Sequence, residues 1–275
     1  MCALRLSTTA AAALSLAAAV ARAQAPMEAP MAAAARAPAK ALTFCAGADN
    51  LPMSQEGAPA GVEVELARAL AARLGMESRF VWLDAHADSF EQAVLAGRCD
   101  AALGAVVEPG GMPGARPLAG VALTAPFYGV AYQLVRRADA APVRRLAELG
   151  ETRVAVEGES IVTYTLRQRG RPVHVLRTAD AVIAALADGR ARYGYLWGPV
   201  AAWLLRDRRD VVVDTAFVAA DRWNFAMAMR ERDYELRQAL NDAGQQLTSD
   251  GTLDRILAAY RIPCCAARQA SGGVR

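Results

Sequence analysis

Strand-like and helix-like segments alternate along this chain, and the alternation runs twice. In the first series LTFCAG (42–47) is a short apolar strand, followed by the turn-rich loop DNLPMSQEGAPA (49–60). Val62, Leu66, Leu70 and Leu74 then repeat every four residues with Ala67 and Ala71 beside them, and Gly75 stands where a helix stops. SRFVWL (78–83) is a second strand. A helix capped by Asp88 or Ser89 runs through Ala96 to Gly97, and CDAALGAVV (99–107) is a third strand. The second series repeats the plan. TRVAVEG (152–158), PVHVLR (172–177), RYGYLW (192–197) and VVVD (211–214) are strands. The helices between them start at Ser160, at Thr178 or Asp180, and at Gly198-Pro199. Such alternation dictates parallel sheets covered by helices.

Two long extended segments flank the second series, TAPFYGVAYQLVRR (124–137) and WNFAMAMR (223–230), and two amphipathic helices close the chain, near 233–247 and 252–260. This order predicts an α/β chain of two lobes. Residues 41–128 and 226–265 form lobe 1, and residues 129–225 form an inserted lobe 2. The crossings act as a double-strand hinge, and a cleft between lobes is a natural binding place.

The N-terminus carries Arg5, an apolar run from Ala10 to Val20, and small residues at Ala21–Ala25. Residues 1–25 therefore read as a cleaved secretory signal peptide, with a flexible leader over 26–40 and a disordered tail over 266–275. Loss of Arg5 and Arg22 lowers the formal net charge from +3 to +1. The remaining charges form no basic stripe, which excludes nucleic acid as a partner class. Cys45, Cys99, Cys264 and Cys265 survive cleavage in a compartment where disulfides persist. The first and third strands of such a unit are neighbours, so Cys45 and Cys99 are the expected disulfide pair. No C-x-x-C occurs, and His86 and His174 are remote in sequence from every cysteine, so neither a metal site nor a cofactor is expected.

GVEVELARALAARLG, LAGRCDAALG, TAPFYGVAYQLV and LTSDGTLDRILAAYRIP, in that order over residues 41–263, resemble the amino-acid-binding type of family 3 of the periplasmic solute-binding proteins. The resemblance implies the type II periplasmic-binding-protein fold and a periplasmic location. The family's amino-acid anchors do not carry over. No T-x-E-R-like stretch surrounds Arg116, and Trp197 stands where the acidic residue that holds an ammonium should fall. A narrower set, CAGADNLPMS (45–54), GRCD (97–100), LWGP (196–199) and RWNFAMAMR (222–230), resembles the MoxJ/XoxJ-type proteins associated with quinoprotein (methanol) dehydrogenases. That likeness implies an accessory protein for a PQQ-dependent alcohol dehydrogenase. The alternative is the substrate-binding receptor of an ABC transporter, with a small polar, aromatic or cationic solute and an ABC permease as partners.

The candidate cleft residues are Asp49, Asn50, Tyr128, Trp197, Gly198 and Trp223. Trp197 is a large rigid ring suited to an apolar ligand or an inserted segment, or else to locking the lobes by packing. Gly198 allows a backbone to approach closely. Asp49 and Asn50 follow the first strand and serve either a ligand or their own loop. Tyr128, Trp223 and Phe225 lie on the crossings, open between cleft and core. Glu157 and Glu159 precede a helix start, where they disfavour an anionic ligand and favour the helix dipole. The chain contains no G-x-S-x-G, H-E-x-x-H, P-loop or G-x-G-x-x-G, and a non-catalytic binding protein is expected.

Overall fold

The computed structural model describes residues 40–85, 87–107, 117–158, 160–219 and 223–262. The segments expected to be a signal peptide (1–25), a leader (up to residue 39) and a tail (266–275), and His86, Arg116, Glu159, Cys264 and Cys265, lie outside the described residues.

Lobe 1 opens with β1 (Ala41–Gly47), a small hairpin of β2 (Asp49–Asn50) and β3 (Ser54–Gln55), α1 (Val62–Arg73), β4 (Glu77–Leu83), α2 (Phe90–Leu95), β5 (Ala101–Val107), β6 (Val121–Leu123) and β7 (Tyr128–Val130). Lobe 2 follows with β8 (Tyr132–Arg137), β9 (Val154–Glu157), α3 (Ile161–Gln168), β10 (Val173–Leu176), α4 (Ala179–Ala187), β11 (Tyr193–Trp197), α5 (Gly198–Leu204) and β12 (Val211–Val213). The chain returns to lobe 1 as β13 (Trp223–Arg230), α6 (Tyr234–Ser249) and α7 (Thr252–Ala259).

The two main sheets share one plan. Lobe 1 is ordered β4-β1-β5-β13-β6, with β7 also paired to β13, and lobe 2 is ordered β10-β9-β11-β8-β12. In each, the second, first and third strands of a series run parallel, and the strand beside the third is antiparallel. That antiparallel strand has just crossed from the other lobe, so it enters from the opposite end. The strands of the alternating series are thus parallel, and the crossings β13 and β8 add an antiparallel member to each sheet. The buried run Asn224–Met229 of β13, without alternation, reflects burial on both faces. In lobe 2, Leu134 and Tyr195 pack on one face of the sheet while Val135 and Leu196 pack on the other.

Local chemistry accounts for the helix starts. Ser89, Ser160 and Thr178 each cap a helix, their hydroxyls accepting from the N–H of Gln92 (3.3 Å), Thr163 (3.3 Å) and Ala181 (3.2 Å). This settles Asp88 against Ser89 and Asp180 against Thr178. Val62, Leu66 and Leu70 turn one face of α1 into the core of lobe 1, with Phe44, Met227, Leu240 and Leu257. The Cys45–Cys99 disulfide is present, with Cα atoms 5.6 Å apart, and joins β1 to the entry of β5.

The outward crossing changes sheets at Ala131, between β7 and β8. Strand pairing carries the lobe 1 sheet to Val130 and resumes it at Trp223, where the sequence reading drew boundaries at 128/129 and 225/226. No helix among the described residues is long and apolar enough to cross a membrane.

Candidate functional site

Three elements from the two lobes bring three aromatic rings together. The register of β11 against β8 sets Trp197 opposite Tyr132, and β13 begins with Trp223 opposite Val130 of β7. Ring centroids are 5.0 Å apart for Tyr132–Trp197, 5.4 Å for Tyr132–Trp223 and 5.6 Å for Trp197–Trp223, all edge to face. Tyr195 and Phe217 extend the array on one side, and Phe225 on the other. Edge-to-face packing makes these rings a rigid wall, and all three remain half-buried.

The wall lines a cavity of about 910 Å³ whose other sides are formed by Glu157, Gly158, Ser160, Ile161 and Arg177 of lobe 2 and Val106 of lobe 1. Burial, reinforced by the negative charge of Glu157, pushes the Tyr132 phenol up to about 12, so it stays a hydrogen-bond donor. Ser160 is committed locally, its hydroxyl capping α3 and donating to the Glu157 carbonyl at 2.9 Å.

A second cavity, of about 390 Å³, lies at the ends of β1 and β5 in lobe 1. Asn50, Ser54, Glu63, Gly104 and Glu91 line it, and so does Val106, which lines the larger cavity as well. Glu63 is 6% exposed, and burial pushes its carboxyl up to about 8. No group of three or more residues able to hold a metal ion occurs among the described residues.

Of the sequence candidates, Trp197 and Trp223 meet in the wall and Asn50 lines the smaller cavity. Asp49 is exposed in β2 and lines neither cavity. Tyr128 is in the core of lobe 1, 1% exposed and stacked on the buried Phe225 at 5.2 Å. The backbone that approaches Gly198 belongs to the chain itself: a Cβ there would lie 2.4 Å from the Ala131 carbonyl oxygen, which accepts the Gly198 N–H at 3.0 Å. Sequence reasoning missed Tyr132 and Glu63. Both left a periodic trace, since Glu63 precedes Leu66, Ala67 and Leu70 by three, four and seven residues and so shares the apolar face of α1. Tyr132 starts the strand that antiparallel pairing sets against RYGYLW.

The model of the bacterial extracellular solute-binding proteins, family 3, matches residues 42–262. No curated protein matches the chain. Solved structures of the same fold include the unliganded, open L-cystine solute receptor of Neisseria gonorrhoeae, 15% identical with a TM-score of 0.70, covering 84% of this chain and 96% of that one. The second substrate-binding domain of Lactococcus lactis GlnP, in its open conformation, is 14% identical with a TM-score of 0.69, over 82% and 99% of the two chains. An ancestral cationic amino acid solute-binding protein is 21% identical with a TM-score of 0.65, over 80% and 95%.

Proposed function

Since the chain belongs to the bacterial extracellular solute-binding proteins of family 3, we propose that it is a non-catalytic periplasmic receptor. It captures a small solute between its lobes and delivers it to an ABC permease. The observation that carries this reading is the Tyr132–Trp197–Trp223 wall, built from both lobes and facing a 910 Å³ cavity at the hinge. A cavity of this size suits a single small molecule. Aromatic faces select a flat or apolar surface on it. The structural relatives include receptors for L-cystine and for cationic amino acids, which supports a small solute as the cargo. An ordinary α-amino acid fits less well, because Trp197 offers no charge to an ammonium at the position the family gives to an acid.

A second reading keeps the fold and changes the occupant. Trp197 and Trp223 come from LWGP and RWNFAMAMR, two of the segments that resemble quinoprotein-dehydrogenase-associated proteins, and they touch in the wall. An apolar segment of a PQQ-dependent alcohol dehydrogenase would then lie where the solute lies in a receptor.

Thermal unfolding of the mature protein against a panel of aromatic and aliphatic solutes separates the two. A receptor shows concentration-dependent stabilisation that Trp197→Ala abolishes. Stabilisation by no solute, together with recovery of a quinoprotein dehydrogenase from periplasmic extract that Trp197→Ala weakens, overturns the receptor reading in favour of the accessory one.

A further inference from the structure

Polar groups without partners gather around Glu63. Ser54 is 1% exposed, lines the smaller cavity, and has no hydrogen-bond partner for its Oγ among the described residues. The Tyr128 hydroxyl is equally unpartnered and shares a small gap with Glu63 and Gly104. Buried groups of this kind are normally satisfied by protein atoms or by something bound. The strand above them is shaped to leave the carboxyl open. The pairing of β5 with β13 shifts register between Ala226 and Ala228, and opposite that shift Gly104 adopts φ +79°. A Cβ at Gly104 would sit 3.2 and 3.3 Å from the two Glu63 oxygens. A larger residue would therefore crowd the carboxyl, and glycine leaves it facing the cavity.

The remaining chemistry favours a donor-rich, positively charged group. Glu63 and Glu91 are the charged side chains among the described lining residues. Glu91 already accepts the Leu118 N–H at 3.1 Å. Ser54 and Asn50 add neutral acceptors. Val106, 43% exposed, lines both this cavity and the aromatic chamber.

We propose that the smaller cavity receives the protonated amine of a solute whose flat apolar body lies on the Tyr132–Trp197–Trp223 wall. The inference rests on the receptor reading above. In the empty protein the Glu63 carboxyl carries a proton, because burial disfavours its charge. An ammonium beside it favours the ionised form. Binding then breaks the Glu63 O–H bond, releases that proton to the buffer, and leaves an ammonium–carboxylate pair. The titratable groups facing Glu63 are Tyr128 from β7 and Glu91 from α2. The adjoining parts of β5 and β13 supply Leu103, Gly104, Phe225, Ala226 and Met227. Burial first, and then Glu63 itself, raise the Tyr128 phenol well above its ordinary range, so it keeps its proton throughout.

Calorimetric titration tests this with two matched pairs of probes, tryptamine with tryptophol and phenethylamine with 2-phenylethanol. Each is measured from about pH 6 to 8 in buffers of different ionisation heat. At least one amine is expected to bind about tenfold or more tighter than its alcohol at the upper end, its affinity rising up to about tenfold per pH unit, with up to about one proton released per molecule bound well below pH 8 and about half a proton near pH 8. Glu63→Gln is expected to remove the proton release and the preference for amine over alcohol. Amine binding without proton release, or unaffected by Glu63→Gln, overturns the proposal. A carbon NMR titration of the Glu63 carboxyl provides a readout independent of the variant: saturation with amine must lower its titration midpoint, and an unmoved midpoint is equally fatal. If the alcohols bind, lose affinity in Trp197→Ala and are not outdone by the amines, the receptor reading stands and this inference falls. If neither class binds, this inference falls, and the receptor reading is decided by the solute panel above.

Discussion

Glu63 also makes the empty protein sensitive to pH. Burial raises its carboxyl from the ordinary 4.5 to about 8. Between those values the folded protein holds a proton that the unfolded chain has released, so stability falls as pH rises through that window and levels off above it. A shift of this size corresponds to about 5 kcal/mol, order of magnitude, most of it lost between roughly pH 5 and 8. Urea unfolding across that range should show the decline in the empty wild-type protein, and Glu63→Gln should flatten it. A wild-type protein equally stable at both ends would show that Glu63 is not desolvated. The periodicity that places Glu63 on the apolar face of α1 is visible in GVEVELARAL, yet a glutamate in a first turn also reads as a favourable partner for the helix dipole. Sequence supplies both readings. Only the packing of β5 and β13 over that turn decides between them. Tyr128 shows the same limit: a crossing strand passes both core and cleft, and its ring turned inward onto Phe225.

At the scale of elements, β11 and α5 form one strand–turn–helix unit pressed against the outward crossing. Gly198 is the contact point, since a Cβ there would overlap the Ala131 carbonyl. Gly198→Ala should therefore destabilise the protein by about 1–3 kcal/mol, the usual cost of overpacking. Because Ala131 is where the chain changes sheets, solute affinity should fall with it. Denaturant unfolding and a binding titration on the same variant check both. A full-strength N–H bond from Gly198 without any loss on substitution would mean that the crossing yields freely. The disulfide acts on a different pair of elements. It closes a 54-residue separation between β1 and the entry to β5, and Cys45→Ala with Cys99→Ala should cost about 2–4 kcal/mol in urea. The elements themselves were largely legible, because helix caps and apolar runs are local signals. Strand direction was not: an extended crossing looks alike whether it joins a sheet parallel or antiparallel, and the topology of the return decides it. The two-residue strands β2 and β3 were likewise invisible within a turn-rich loop.

The whole molecule depends on both crossings. Strand β8 reaches lobe 2 from lobe 1, and β13 reaches lobe 1 from lobe 2, and each lies inside its sheet rather than at the edge. Neither sheet is complete until the chain has crossed, and lobe 1 further needs α6 and α7 to cover α1. The lobes also pack on each other away from the wall. Trp203 of α5 lies 6.0 Å from the ring of Tyr260, whose hydroxyl in turn accepts the Gly61 N–H at 2.8 Å at the start of α1. The doubly linked plan was readable from the order of segments, but this α5–α7 contact was not, because nothing local marks which faces of two distant helices will meet. Such interleaving predicts one cooperative unfolding transition rather than one per lobe. It also predicts that a solute bound across the cleft stabilises both lobes together. At a hundredfold excess over its Kd the gain is about 2.7 kcal/mol, and the single transition should move up by about 2–4 °C for each kcal/mol. Trp197→Ala should keep the single transition and lose the solute-dependent shift. Scanning calorimetry of both proteins, with and without the tightest solute, gives the answer. Two separate transitions in the wild-type protein, only one of them moved by solute, would mean that the lobes fold independently and that the site belongs to one of them.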